Sequence, residues 1–411
     1  MSSKFSVEKA RAAFPALASP QIFGDNAGGS QVLGTVAERM RRSNKPCTNS
    51  ISTYLIKTNV QLGASYPASQ QSTALYSAGY KAAAKYVNAH EDEIVLGASA
   101  TQVLFNLAAS LKFNADDEVI VSELDHESNI DPWLYYARRT GFKIKWWTSS
   151  DPKNPMLELD TLKGLLTEKT RLVAFTHSSN ILGHIHDVRA IANEVHKIPG
   201  AMICVDAVAY APHRLIDVKQ LGADFYVFSW YKVYGPHMAL LYGSMAAQEQ
   251  MDSLGHYFNP SNTLSSKLGL AASNYELLQS LVPLVEYFGD DPAEMWAGIE
   301  KHEETLQKRL IDYISSRPDI TIRGEPSPDT SRRLPTISFT VEGRSSRSIV
   351  EAMESISNVG IRWGHFYSKR LVEKVLGLEG DGVVRVSLVH YNTSKHSLHE
   401  VVFWKLTCIA S

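Results

Sequence analysis

Cysteine is scarce in this chain of 411 residues: three are present, Cys47, Cys204 and Cys408. They form no C-x-x-C pair and have no histidine at metal-ligand spacing, which argues against a disulfide framework and against a metal site. An excess of either charge is missing too. Lys plus Arg number 41 against 43 Asp plus Glu, a net charge of -2, so no basic surplus is available to attract nucleic acid. No apolar run approaches the ~18 residues of a membrane span. The opening MSSKFSVEKARAAFPAL is broken by Lys4, Glu8, Lys9 and Arg11, which denies it the apolar core of a secretion signal. The expectation is a cytoplasmic protein that engages neither nucleic acid nor membrane and holds no metal.

What is present is 44% hydrophobic and 20% charged residues, enough for a large core. At ~100–200 residues per domain, the length suggests a large α/β unit with a smaller appendage. Through the middle of the chain, short apolar runs alternate with longer helical patterns, the signature of a βα sheet. The runs predict strands at 93–96, 118–121, 142–147, 171–175, 202–206, 225–229 and 238–242, with helices at 101–112, 129–140, 160–167 and 188–197. After about residue 293 the rhythm changes to a charged amphipathic pattern, GIEKHEETLQKRLIDYIS. A strand at 334–341, a helix at 346–355 and a terminal helix after Lys395 follow it. This second pattern predicts a smaller α+β domain, in which the proline- and serine-containing GEPSPDTSRR reads as a surface loop.

Four segments carry groups suited to chemistry. In FSWYKVYGP (228–236), Lys232 follows a strand end among aromatic residues. Poor solvation there lowers an amine's pKa and makes it nucleophilic, although a structural lysine fits the position as well. In ICVDAVA (203–209), Asp206 ends a buried strand, where open parallel sheets hold ligands. It suits a helix cap, an ion pair, or the partner of a protonated pyridine nitrogen. The small residues of GASATQ (97–102) join a strand to a helix whose first N–H groups favour a phosphate. Ser and Thr caps are common at such turns in any case. In ELDHESN (123–129), His126 follows a strand end, where its ring can stack on a flat cofactor, move protons near neutral pH, or merely satisfy a loop.

In this order and spacing the four segments resemble the pyridoxal-phosphate enzymes of aspartate-aminotransferase fold, specifically the class V aminotransferases and cysteine desulfurases, from about Phe23 to Tyr391. The resemblance implies an α/β fold of type I: a mainly parallel seven-stranded sheet with helices on both faces, plus a smaller C-terminal α+β domain. It divides the chain into an N-terminal segment packing near the active site (1–30), a large cofactor domain (31–290) and a small domain (291–411). It implies pyridoxal 5'-phosphate as cofactor, Lys232 as the Schiff-base lysine and catalytic base, Asp206 on the ring nitrogen, and His126 stacked over the ring with a share in catalysis. Asn180, in THSSNILG, would lie near the phenolic oxygen, and Ala100, Thr101 and Ser229 on the phosphate, with Tyr231 beside Lys232. Arg385, in VRVSLVHYNT, would grip the α-carboxylate of a small amino acid substrate bidentately, with Asn129, Arg362 and Tyr367 completing the substrate side. A homodimer is implied as well.

The departures shape the expected function. In GIRWGHFY, Tyr367 stands where sulfur-transferring desulfurases carry the cysteine that holds a persulfide, and tyrosine cannot hold one. Cys47, Cys204 and Cys408 align with no such position. Tyr231 replaces a usual histidine and Ala209 a usual glutamine. Ala272, in GLAASN, stands where a partner-subunit threonine reaches the phosphate. The openings FGDNAGGSQ and NVQLG resemble a desulfurase-like branch that includes fungal alkaloid-pathway enzymes of the Mannich-cyclase type. Their glycines permit either a close approach to the substrate or a tight turn. Trp230, Tyr231, Trp363, Phe366 and Tyr367 suit either a pocket for a flat cation or plain core. The function expected is carbon–carbon bond formation in alkaloid-type metabolism: a Cα carbanion attacks an internal imine, or one made from an aldehyde co-substrate. A C–S lyase acting on cysteine and a transaminase are the alternatives.

Overall fold

The computed structural model describes residues 5–40, 51–270 and 273–393; Cys47, Ala272, Cys408 and the helix expected after Lys395 lie outside them. A short strand β1 (Ile22–Phe23) precedes the seven strands of the main sheet. These are β2 (Ile94–Gly97), β3 (Glu118–Ser122), β4 (Lys143–Trp147), β5 (Thr170–Thr176), β6 (Met202–Asp206), β7 (Phe225–Ser229) and β8 (Ala239–Gly243). Their order is β2-β8-β7-β6-β5-β3-β4. β3 to β7 pair in parallel, and β8 runs against both β2 and β7. Each strand falls within one residue of its predicted span.

The sheet was legible because both its faces are covered, and such strands read as continuous apolar runs. Along β6 the side chains alternate. Ile203 and Val205 enter a core shared with the helices Pro67–Tyr86 and Val188–Val195. Met202 and Cys204 enter another core, shared with the helices Ala100–Ser110 and Asp131–Thr140. The ends of those last two helices are set locally. The Ser99 side chain accepts the Gln102 N–H at the start of one, and Gly141, at φ 89, closes the other, as N-caps and left-handed C-terminal glycines do.

The C-terminal unit adds β9 (Ile320–Arg323), β10 (Thr336–Val341), β11 (Val359–Gly360), β12 (Arg362–Gly364) and β13 (Val383–Ser387). Four of them form an antiparallel sheet, β12-β13-β10-β9, packed on the helices Pro292–Ser316 and Ser346–Ile356 through Leu306, Ile314, Ile349 and Met353. β11 instead pairs in parallel with β1, which ties the N-terminal segment to this unit. The middle of GEPSPDTSRR, 326–332, lies at the surface as expected of it, while its ends are buried. Arg333 and Glu325 within it are buried, and the Arg333 guanidinium donates to the carbonyls of Glu325, Leu334 and Thr336. That side chain satisfies backbone acceptors which water would otherwise serve. Among the described residues, no helix is long and apolar enough to cross a membrane.

Candidate active site

The carboxyl ends of β2, β3, β5, β6 and β7 converge on a cleft of about 500 Å³, where a parallel sheet leaves its loops free to hold a ligand. Ala100, Thr101, His126, Asn180, Asp206, Ser229, Tyr231 and Lys232 all line it, joined by Ser99, Ser128, Thr176 and Ser178.

Lys232 ends a single 3-10 turn after β7. The turn is anchored by Trp230, whose N–H donates to Met238 O at 2.8 Å and whose carbonyl accepts from Gly235 N at 2.9 Å. The Trp230 side chain belongs to the core rather than to a cation pocket. Burial, and next the charge of Arg385, push the Lys232 amine down to about 8, against the opposite pull of Asp206 and Asp25. An amine in that state serves as nucleophile or base near neutral pH. Asp206 ends β6 with Oδ1 accepting from Val208 N at 2.9 Å. Burial raises its carboxyl, while the Val208 N–H and Lys232 act the other way.

His126 accepts the Ser128 N–H on Nδ1 at 3.1 Å, with Ser128 Oγ at 2.7 Å from the same nitrogen. A backbone N–H can only donate, so Nδ1 is bare and the neutral ring carries its proton on Nε2. Burial, then Lys232 and Arg385, push the ring down to about 3. It is therefore a neutral plate near physiological pH, which suits stacking better than the proton transfer that its sequence position also allowed. At the end of β2, the Ser99 Oγ takes the Gln102 N–H at 3.1 Å and leaves the first-turn N–H groups of Ala100 and Thr101 without intrahelical acceptors. An anion is favoured there.

These groups fit pyridoxal phosphate: a desolvated amine for its aldehyde, a carboxylate for its ring nitrogen, a neutral plate for its face and free N–H groups for its phosphate. Asn180 is engaged on both ends. Its Nδ2 donates to Phe366 O at 3.0 Å and its Oδ1 accepts from Ser368 Oγ at 2.9 Å. Tyr231 stacks on His237, ring centres 4.8 Å apart, and its carbonyl accepts from Ser30 N at 3.2 Å.

The four residues expected on the substrate side lie outside the cleft lining. Arg385, buried on β13, donates from Nη2 to Asp25 Oδ1 at 2.7 Å and from Nη1 to Asn180 O at 3.1 Å, and it sits 3.7 Å over the Phe366 ring. Arg362, on β12, places Nε 3.6 Å from Asp25 Oδ2. Asn129 is buried and donates to Asp125 Oδ1 at 2.6 Å. Asp125 in turn accepts the Thr176 N–H at 2.9 Å, so Asn129 braces the loop that carries His126. Burial, and next the charge of Asp206, push the Asp125 carboxyl up to about 8. Tyr367 is exposed, its ring 5.5 Å from that of His126 and its carbonyl accepting from Glu127 N at 2.9 Å. The Arg347 guanidinium lies 5.7 Å over the Trp363 ring.

Among the described residues the free thiol is Cys204. It is fully buried in β6, and burial, with Asp206, drives its pKa up, which makes it inert. Two acidic residues had no role assigned from the sequence. Asp125 immediately precedes His126 and was visible as a carboxylate at a strand end. Asp25 stands 360 residues from Arg385, and no local spacing announces that pair.

The class V aminotransferase family pattern matches residues 23–396. The aminotransferase-like protein FGM3 of Gibberella zeae is 63% identical over 392 residues, covering 95% of this chain and 96% of its own. The cysteine desulfurase-like protein ustD of Aspergillus flavus is 38% identical over 396 residues, covering 94% of this chain and 87% of its own. The cysteine desulfurase CsdA from Escherichia coli matches the fold with a TM-score of 0.82 at 25% identity, over 99% of each chain. The likeness therefore extends from the four motifs to both units of the fold, and the chain belongs to the class V aminotransferases.

Proposed function

We propose that the chain is a pyridoxal-phosphate enzyme that forms a carbon–carbon bond at Cα of an L-amino acid, by Mannich-type addition to an imine. A tethered imine would close a nitrogen heterocycle; an aldehyde co-substrate would supply an external one. The observation that carries this reading is Tyr367 beside His126, with no thiol among the described residues that line the cleft. Sulfur transfer needs a reactive thiolate, whereas carbon chemistry at Cα needs none.

Bound pyridoxal phosphate supplies an electron sink for a bond at Cα. The protein's own groups do the rest. Lys232 removes the proton at Cα, which its lowered pKa allows near neutral pH, and passes it to the imine nitrogen as the carbon–carbon bond replaces the Cα–H bond. Asp206 holds the ring nitrogen, His126 covers one face, and the Ala100 and Thr101 N–H groups with Ser229 hold the phosphate. Arg385 receives the substrate carboxylate. A homodimer belongs to the same reading and is supported by the exposed apolar side chains of Tyr257, Phe258 and Leu270, which are costly to leave in water. Light scattering on the purified protein measures its mass directly.

The test mixes cofactor-loaded protein with L-cysteine in one series and with L-amino acids plus aldehydes in another, using Lys232→Ala as the blank. The expected result is a product of increased carbon count by mass spectrometry and no catalytic sulfide. Sulfide turnover without such a product would establish the C–S lyase instead, and a 2-oxo acid with aminated cofactor would establish transamination.

A further inference from the structure

Asp25 joins two arginines in a way that leaves a donor bare. Arg385 is buried, and its Nε has no hydrogen-bond partner among the described residues. Asp25 Oδ1 takes Nη2 at 2.7 Å, and Nη1 goes to Asn180 O at 3.1 Å. A carboxylate bound side-on would take Nε and Nη2 together, the parallel donors of the guanidinium fork. Asp25 takes one of them only. A buried donor without an acceptor is unfavourable, so this edge is built for an anion better placed than Asp25.

Charge counting agrees. Arg362 and Arg385 are direct cross-strand partners on β12 and β13, an unfavourable placement for two like charges. Asp25 is the carboxylate paired with both. The trio therefore carries two positive groups and one negative, and a second carboxylate would balance it. Asp25 also has a place to go. Its side chain is 24% exposed, Oδ2 is already 3.6 Å from Arg362 Nε, and both residues border an open groove of about 1250 Å³. Its backbone is held by the bridge to Ser387 and by the Gly28 N–H on its carbonyl, so a side-chain rotation suffices. A Cβ at Gly28 would lie 2.7 Å from Asp25 Oδ2; glycine keeps clear the space through which the carboxylate turns.

We propose that Asp25 is a displaceable stand-in for the substrate carboxylate. The incoming carboxylate takes the Nε and Nη2 edge of Arg385, and Asp25 transfers to Arg362. No covalent bond changes, and after the exchange each arginine faces one carboxylate. Binding is then a competition at a single guanidinium, which holds affinity down and keeps Arg385 neutralised between turnovers. The inference rests on the proposed function in one respect, that the substrate presents a carboxylate to Arg385.

The test titrates propionate into the cofactor-loaded protein by calorimetry. Propionate has the carboxylate and no amine, so it reports the fork without chemistry at Lys232. Asp25→Asn is expected to bind propionate at least about tenfold more tightly than the unaltered protein, the size of a lost charge-assisted competitor. Arg362→Gln is expected to bind it several-fold more weakly, because Asp25 then has no second partner. Arg385→Gln is expected to remove the binding. Equal or weaker binding by Asp25→Asn overturns the exchange, as does binding that survives Arg385→Gln. If Asp25→Asn fails to fold, Arg362→Gln decides alone, and equal or tighter binding there overturns it. Calorimetry involves no turnover, so a failed search for carbon–carbon products would leave this result standing.

Discussion

At the scale of single residues, the site works through desolvation. Lys232 is pushed down to about 8 chiefly by burial and then by Arg385, and only its neutral form attacks an aldehyde. Uptake of pyridoxal phosphate by the apoprotein, followed by its visible absorbance, is expected to accelerate from about pH 7 and level off above about pH 9. Arg385→Gln removes one of the two depressing influences, so the midpoint should move up. A rate independent of pH over that window would mean that the amine is already neutral throughout. His126 makes the complementary case. Held near 3 by burial, it contributes no limb to a pH–rate profile near neutrality. His126→Phe keeps a flat ring and is expected to lower the rate without changing the profile's shape; a limb that vanishes with the substitution would assign a proton transfer to His126. That Lys232, Asp206 and His126 share one cleft was readable in the sequence because each stands at the end of, or just past, a strand whose apolar run is unmistakable. Arg385 and Asn129 were readable as candidates but not as partners of Asp25 and Asp125. Those pairings are set by tertiary packing, and in the case of Asp25 by a separation of 360 residues.

At the scale of elements, the turn after β12 matters most. Phe366 and Tyr367 have φ 48 and 59, left-handed values that cost a bulky L-residue about 1–2 kcal/mol each. The turn is held by Asn180 on the Phe366 carbonyl, by the Glu127 N–H on the Tyr367 carbonyl and by Arg385 over the Phe366 ring. It thus fastens the C-terminal unit to the His126 loop. The Tyr367 side chain is 69% exposed, so its removal forfeits little burial, and glycine accepts the backbone without strain. Tyr367→Gly is expected to keep the unfolding free energy within about 1 kcal/mol of the original, or to raise it, while slowing turnover by uncovering His126. A stability loss above about 2 kcal/mol in urea unfolding would show that the ring packs more firmly than its exposure indicates. No sequence pattern announced this turn, because the residues carrying it have none of the glycine or asparagine that marks such backbones. The Ala- and Ser-rich helix Pro67–Tyr86 went unread for a related reason: it lacks the strong apolar stripe on which helix recognition depends.

At the scale of the whole molecule, the two units meet through polar groups that a single sequence does not pair. His213 and Arg214 reach Glu303 at 2.9 and 2.8 Å, and His184 lies 3.5 Å from Glu325, with Arg332 on the same carboxylate at 2.6 Å. Burial is the first cause in each of the depressed histidines: His126, His177, His186 and His390 fall to about 3 and His184 to about 4, from 6.5. The unfolded chain therefore takes up protons below pH 6.5 that the folded chain refuses until near pH 4. In that window each such histidine lowers stability by about 1.4 kcal/mol per pH unit of acidification. Asp125 works in the opposite direction. Its folded pKa of about 8 exceeds the unfolded 3.8, so the folded state holds a proton there that the unfolded state lacks, and acidification favours folding through this group. Five histidines outweigh it, and the fold should lose several kcal/mol between about pH 6.5 and pH 5. The check is the urea midpoint of the apoprotein at those two values, with His184→Gln alongside. A midpoint that holds or rises on acidification would mean that His184 and Glu325 form a charged pair as the histidine protonates, joining the units more tightly in acid. The His184→Gln protein would then lose that gain and expose the pair as its source.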